Sequence, residues 1–189
     1  MNATLRRNAG VSRPELLLVL SVLLALASVI LPSLLEIRQR NRSVQAYSDM
    51  RILISAASRF NREYRLWPVS DPPAKGDARF GTRNANSVVM NILQGIDQVG
   101  NEQHRVNPSQ IDFIEEVSEG AANLRFNARG EVVDPWGSPY EMVFDSNYDS
   151  ICTVENNTYG PVIGEGFIIW SSGPDRKSET DDDVCSWLP

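Results

Sequence analysis

The side chains able to do chemistry are few and stand far apart. His104, the only histidine, lies in the polar stretch Asn101 to Asn107; a lone imidazole with no nucleophile or carboxylate motif beside it reads as a surface residue. No G-x-S-x-G, H-E-x-x-H or Gly-rich phosphate loop occurs. Glu115 and Glu116 are adjacent, so on a helix they diverge instead of converging on one substrate. Cys152 and Cys185 do not form a C-x-x-C pair, which argues against a zinc or dithiol centre. They are buried thiols in a reducing compartment, or one disulfide in an oxidising one. Two acidic stretches bear on cations. Asp145 to Ser150 carries oxygen ligands at alternate positions, but Ser150 and Asn156 stand where a calcium loop needs Gly and Glu, so it reads as a turn. In the second, Asp175 and the run Asp181, Asp182, Asp183 would repel one another if folded close together. Calcium, which takes roughly 6–8 oxygen ligands, relieves such repulsion.

The elements that must position these residues follow from the polarity of the chain. The net charge is −6 and the pI about 4.9, and the acids gather late, so a phosphate-neutralising face for nucleic acid is not expected. From Leu16 to Leu35 no residue is charged. Such a run of about 20 residues reaches roughly 30 Å as a helix, the thickness of a bilayer core. It exceeds the apolar stretch of a cleaved secretory signal, and no A-x-A site follows it. Beyond it, Val44, Tyr47, Met50, Ile54, Ala57, Phe60 and Tyr64 recur at spacings of three and four, the mark of an amphipathic helix. The sequence therefore predicts one long helix, apolar all round and then striped, kinked at Pro32 where a backbone hydrogen bond is lost.

The junction Ala9-Gly10-Val11-Ser12-Arg13-Pro14-Glu15 ahead of this run resembles the class III signal of type IV pilins and type II secretion pseudopilins, and Pro32 matches their kinking proline. The resemblance implies a leader over 1–10, cut after Gly10 by a prepilin peptidase, and a mature chain starting at Val11 and N-methylated. It implies that Glu15 pairs with the new α-amine of a neighbouring subunit and sets the axial register of a homo-oligomeric filament. A transmembrane half over 11–35, a periplasmic amphipathic half over 36–67 and an inner-membrane secretion platform as partner follow from the same reading. In that oxidising compartment Cys152 and Cys185 are expected to form a disulfide.

The remainder divides into a variable region over 68–121, with a short helix at Ser87 to Ile96 and an apolar piece at Ile111 to Val117, and a β-rich part over 122–189. There, Leu124 to Phe126 and Glu131 to Val133 flank a hairpin turn, and Tyr140 to Phe144 and Gly166 to Trp170 are further strands. The fold class is α+β: a long helix packed on a small antiparallel sheet. Asp134-Pro135-Trp136-Gly137-Ser138-Pro139-Tyr140 resembles the turn before the sheet of the major pseudopilin. The C-terminal loop resembles that protein's calcium loop, which implies Asp175, Asp182 and Asp183 as ligands with Asp181 as a substitute. The expected function is structural, not enzymatic: a pseudopilus subunit driving protein export. A membrane-tethered binding or sensor domain and a minor type IV pilin are the alternatives.

Overall fold

The computed structural model describes residues 13–118, 124–154 and 159–188, with the side chains of residues 27, 29–35 and 116–118 outside that description. Gly10 and Val11 lie outside the described residues as well. The chain divides into two compact units, Met1–Arg40 and Asn41–Pro189, and the helix α1, Arg13–Tyr64, contributes to both.

In the first unit α1 is helical on both sides of Pro32, and its described side chains are exposed, among them Leu17, Leu18 and Leu24. Glu15 lies in the first turn, where a carboxylate favours the positive end of the helix dipole. Among the described residues no helix is long and apolar enough to cross a membrane; residues 27 and 29–35, whose side chains are undescribed, belong to the run on which that expectation rests.

The second unit is built around a four-stranded antiparallel sheet. Its strands are β1 (Ala78–Phe80), β4 (Glu141–Phe144), β7 (Phe167–Ser171) and β8 (Val184–Cys185), in the order β1-β4-β7-β8. Two short hairpins flank it: β2 (Arg125–Phe126) with β3 (Val132–Val133), and β5 (Ile151–Cys152) with β6 (Val162–Ile163). The sheet is buried on both faces, so its strands read as continuous apolar runs. Alternation along β4 and β7 sends Met142, Phe144, Phe167 and Ile169 to one cluster and Val143, Ile168 and Trp170 to the other. The first cluster also contains Ala46, Met50, Leu53, Ala56, Ala57 and Phe60 of α1. Their spacing of three and four explains why this half is a helix and which side it buries. Phe60 alone, fully buried, contributes about 1.5–3 kcal/mol by leaving water. Two members of the anticipated stripe fall off it: Val44 is 63% and Tyr47 39% exposed, because the buried face is centred on Ala46, Met50 and Leu53 instead.

A polar tie crosses the interface between helix and sheet. The Tyr140 hydroxyl donates to Asp49 Oδ2 at 3.0 Å, and Gln45 Nε2 to Oδ1 at 2.7 Å. Burial pushes the Asp49 carboxyl above its ordinary pKa, and these hydrogen bonds oppose the shift.

The region over 68–118 is built, not loose. It holds β1, α2 (Ser87–Leu93), a 3-10 turn at Glu102–His104 and α3 (Phe113–Ser118). Three buried asparagines stitch it to the rest. Asn86 Nδ2 donates to the carbonyls of Val132 and Tyr140, both at 3.0 Å, and its Oδ1 accepts from Val132 N. Asn101 accepts from the amides of Val106 and Asn107. Asn107 donates to Ile92 and Ile111 carbonyls, both at 2.8 Å, and accepts from the Tyr64 hydroxyl at the end of α1. Each side chain supplies the donors and acceptors that a buried irregular backbone lacks.

Candidate functional site

The acidic segment joins β7 to β8 and is folded against the sheet. Three of its residues adopt left-handed backbone, Gly173, Arg176 and Glu179, which lets the loop turn back on itself. It closes with its own donors. The Asp175 amide donates to Asp182 Oδ2 at 3.1 Å and the Thr180 hydroxyl to Asp182 Oδ1 at 2.8 Å. Asp183 Oδ2 accepts from the Glu179 amide at 2.7 Å and the Tyr159 hydroxyl at 2.6 Å. Trp170 Nε1 donates to Ser178 Oγ at 2.8 Å, and Arg79 reaches Glu179 at 3.6 Å while lying over the Trp170 ring. Burial pushes Asp183 above the usual carboxylate range, against hydrogen bonds from Tyr159 and Glu179. Burial acts the same way on Asp182, but bonds from Thr180 and the Asp175 amide outweigh it and hold that carboxyl low.

The loop thus brings Asp175, Asp182 and Asp183 onto one turn, while Asp181 is exposed beside them. As arranged, they do not form a calcium shell: among the described residues no three acidic, His or Cys side chains converge closely enough to hold a metal ion. Both oxygens of Asp182 already accept donors from the loop.

Behind the loop stands the Asp134 turn. Asp134 is fully buried. Its Oδ1 accepts from the amides of Trp136 and Ser138, both at 2.9 Å, and its Oδ2 from the Ser171 hydroxyl at 2.5 Å. The turn is therefore pinned to the residue where the acidic loop leaves β7. Sequence pattern located the turn but not this link, because nothing in the order of residues pairs Asp134 with Ser171. A second buried acid, Glu141, accepts from the Thr82 amide at 2.9 Å and hydroxyl, and pairs with Arg79 at 3.4 Å. Gly81 makes this approach feasible, since a Cβ there would stand 2.6 Å from the Glu141 carboxyl carbon.

The expected Cys152–Cys185 bridge is not formed: both are free, buried thiols. They share the second apolar cluster, but Cys152 Sγ lies at the Glu165 carbonyl, at 3.2 Å, whereas Cys185 stands opposite Trp170 on β8. Burial pushes each thiol up to about 12, so neither is a thiolate at neutral pH. Denatured, unreduced protein is expected to show two reactive thiols, and the folded protein to react far more slowly; a count of zero after denaturation would restore the bridge. His104 also departs from expectation. It is half-buried with left-handed backbone, and its Nδ1 is buried with no hydrogen-bond partner among the described residues. The Asp145 segment is a turn, as expected: its carboxylate accepts from the amides of Asp149 and Ser150.

No family profile matches the chain, and no solved structure does. Over 182 residues, 96% of this chain and 94% of the relative, it is 22% identical to type II secretion system core protein G of Aeromonas hydrophila. The match runs nearly end to end, through the N-terminal apolar helix as well as the sheet and its acidic loop. The chain is a distant full-length homologue of a type II secretion system core protein G.

Proposed function

We propose that this chain is a pseudopilin, a structural subunit that assembles from the inner membrane into a periplasmic pseudopilus and drives protein export. The single observation that carries the reading is the end-to-end similarity to a core protein G. The Gly10 and Glu15 spacing ahead of an uncharged run supports it. So does a helix whose inner side packs on the sheet over Ala46 to Phe60. On this reading a prepilin peptidase cuts after Gly10, the amine of Val11 is methylated, and Leu16 to Leu35 is the membrane anchor. Determining the N-terminus of the mature protein by mass spectrometry is the test. A chain starting at Val11 is expected in cells that express such a peptidase, and an intact Met1 would reject the assignment.

The same reading gives the acidic loop calcium. Binding requires Asp182 and Asp183 to exchange loop donors for the ion, with Asp175 and Asp181 on the same turn. Support comes from Asp183, a half-buried acid whose charge burial disfavours, which a cation would relieve. A ligand bound only to the folded state at a hundred times its Kd stabilises by about 2.7 kcal/mol, on the order of 5–10 °C in Tm for a domain of this size. Millimolar calcium is expected to raise the Tm of the full chain relative to chelator, and Asp175→Ala to remove the increment. Superimposable melting curves would reject calcium while leaving the filament reading intact.

A further inference from the structure

Arg79 grips the acidic loop from the far edge of the sheet. It stands in the middle of β1 at one edge, whereas the loop runs into β8 at the other. Its guanidinium lies between two carboxylates: Nε is 3.4 Å from Glu141 Oε2, and Nη1 is 3.6 Å from Glu179 Oε1. The same guanidinium covers Trp170, 5.3 Å from the ring centre, and Trp170 Nε1 holds Ser178 Oγ at 2.8 Å. Two consecutive loop residues, Ser178 and Glu179, are therefore held by one arginine and the ring beneath it.

The two ion pairs differ in kind. Glu141 is fully buried and also accepts from the Thr82 amide and hydroxyl; parting it from its guanidinium strands a charge in the interior. Glu179 meets Arg79 through one contact beyond hydrogen-bond range. The Arg79 and Glu179 side chains are 13% and 12% exposed, so water can replace that contact. Arg79 is thus fixed at Glu141 and releasable at Glu179. The closure of the loop hangs on the releasable side. Glu179 has left-handed backbone, and its N–H donates to Asp183 Oδ2 at 2.7 Å. Holding the Glu179 side chain keeps that N–H on Asp183, one of the carboxylates that must give up loop donors for an ion to enter.

We propose that Arg79 is a latch on the acidic loop: its contact with Glu179 commits Asp183 to the loop's own donors, and calcium binding and this contact exclude each other. This rests on the calcium reading of the loop and deepens it by naming the group with which the ion competes. A guanidinium suits the role, because its planar, delocalised charge pairs with two carboxylates while stacking on an aromatic face. Latching makes the binding-competent loop a minor population, which weakens its apparent affinity by that fraction.

The experiment measures amide exchange and calcium binding on the full-length chain in detergent micelles. It compares the parent with Glu179→Ala and with the double variant Arg79→Gln, Glu141→Gln. The double variant removes one charge of each sign, so the net charge is unchanged and no buried carboxylate is left without its counter-ion. Glu179→Ala alters only the loop side. In chelator, the amides of residue 179 and Asp183 should exchange about tenfold faster in both variants, with exchange in α2 unmoved. Calorimetric titration should give a calcium Kd about tenfold lower in the double variant, the release of a loop latched about nine-tenths of the time. In Glu179→Ala the Kd should fall about threefold, although charge alone predicts weaker binding by a loop with one acid fewer. Unchanged exchange in chelator overturns the latch, and so does calcium bound no tighter by the variants than by the parent. Calcium bound by none of the three proteins, with exchange still accelerated, rejects the calcium reading and the competition with it.

Discussion

Replacing Glu15 by Gln is expected to lower the yield of assembled filaments by about tenfold or more, the loss of roughly 1.4 kcal/mol or more per subunit contact. Within the chain the change is small. Glu15 sits exposed in the first turn of α1, where its favourable interaction with the helix dipole contributes about 0.3–1 kcal/mol. It belongs to the unit Met1–Arg40, and the sheet and its core lie in the other, so the melting of residues 41–189 should not move. Nor does the variant hinder membrane insertion. A carboxylate in hydrocarbon costs about 2.5 kcal/mol or more on insertion scales, and the neutral amide costs less. A defect confined to assembly, with insertion and folding intact, therefore isolates the charge itself and the pairing proposed for it. The measurement compares sheared filament fractions from cells making equal amounts of each protein. Equal filament yields would remove Glu15 from the register and leave it a helix-start residue.

What the sequence disclosed about the fold depended on how local each signal was. The helix was legible because Met50, Ala57 and Phe60 repeat at helical spacing over a long stretch. Its outer boundary was misjudged at Val44 and Tyr47, since an exposed apolar pair at the right spacing is indistinguishable from a buried one until the sheet's position is known. The strands at Glu141–Phe144 and Phe167–Ser171 were visible as dense runs of β-branched and aromatic residues. The two edge strands were not. Ala78–Phe80 is three residues with an arginine in the middle, and Val184–Cys185 is only two, too short for any periodicity. The polar anchors were the least legible. Asn86, Asn101 and Asn107 look like loop residues in a loop-rich region, yet all are fully buried, because the backbone they serve is itself irregular and buried. At the acidic loop the residue types pointed to a cation, but not to the donors that hold the carboxylates in place, Thr180, Tyr159 and the loop's own amides, which meet them in a loop with left-handed backbone at Arg176 and Glu179 that a sequence does not display.

The largest stability effect is expected at Asp134. Its carboxylate is fully buried and accepts from the amides of Trp136 and Ser138 and from the Ser171 hydroxyl. Asp134→Ala removes both acceptor oxygens, and so all three hydrogen bonds, at once and leaves three donors stranded behind the acidic loop. Each unsatisfied buried donor costs about 1–3 kcal/mol, and partial relaxation of the turn toward water reduces the sum, so about 3 kcal/mol of destabilisation is expected. Asp134→Asn distinguishes hydrogen bonding from charge. Its carbonyl still accepts from the two turn amides, and its NH2 meets Ser171 Oγ, which can rotate to accept instead of donate. That variant should lose only about 1 kcal/mol, one imperfect hydrogen bond. Because Ser171 is where the acidic loop leaves β7, the alanine variant should also loosen the loop. Amide exchange at Asp175 and Glu179, whose N–H groups close the loop, should accelerate more than exchange in α2, which Asn86 holds independently. Chemical denaturation and amide exchange on the two variants measure both effects. Equal stability of Asp134→Ala and Asp134→Asn would show that the turn stands on Trp136 packing and not on the carboxylate that links it to the sheet.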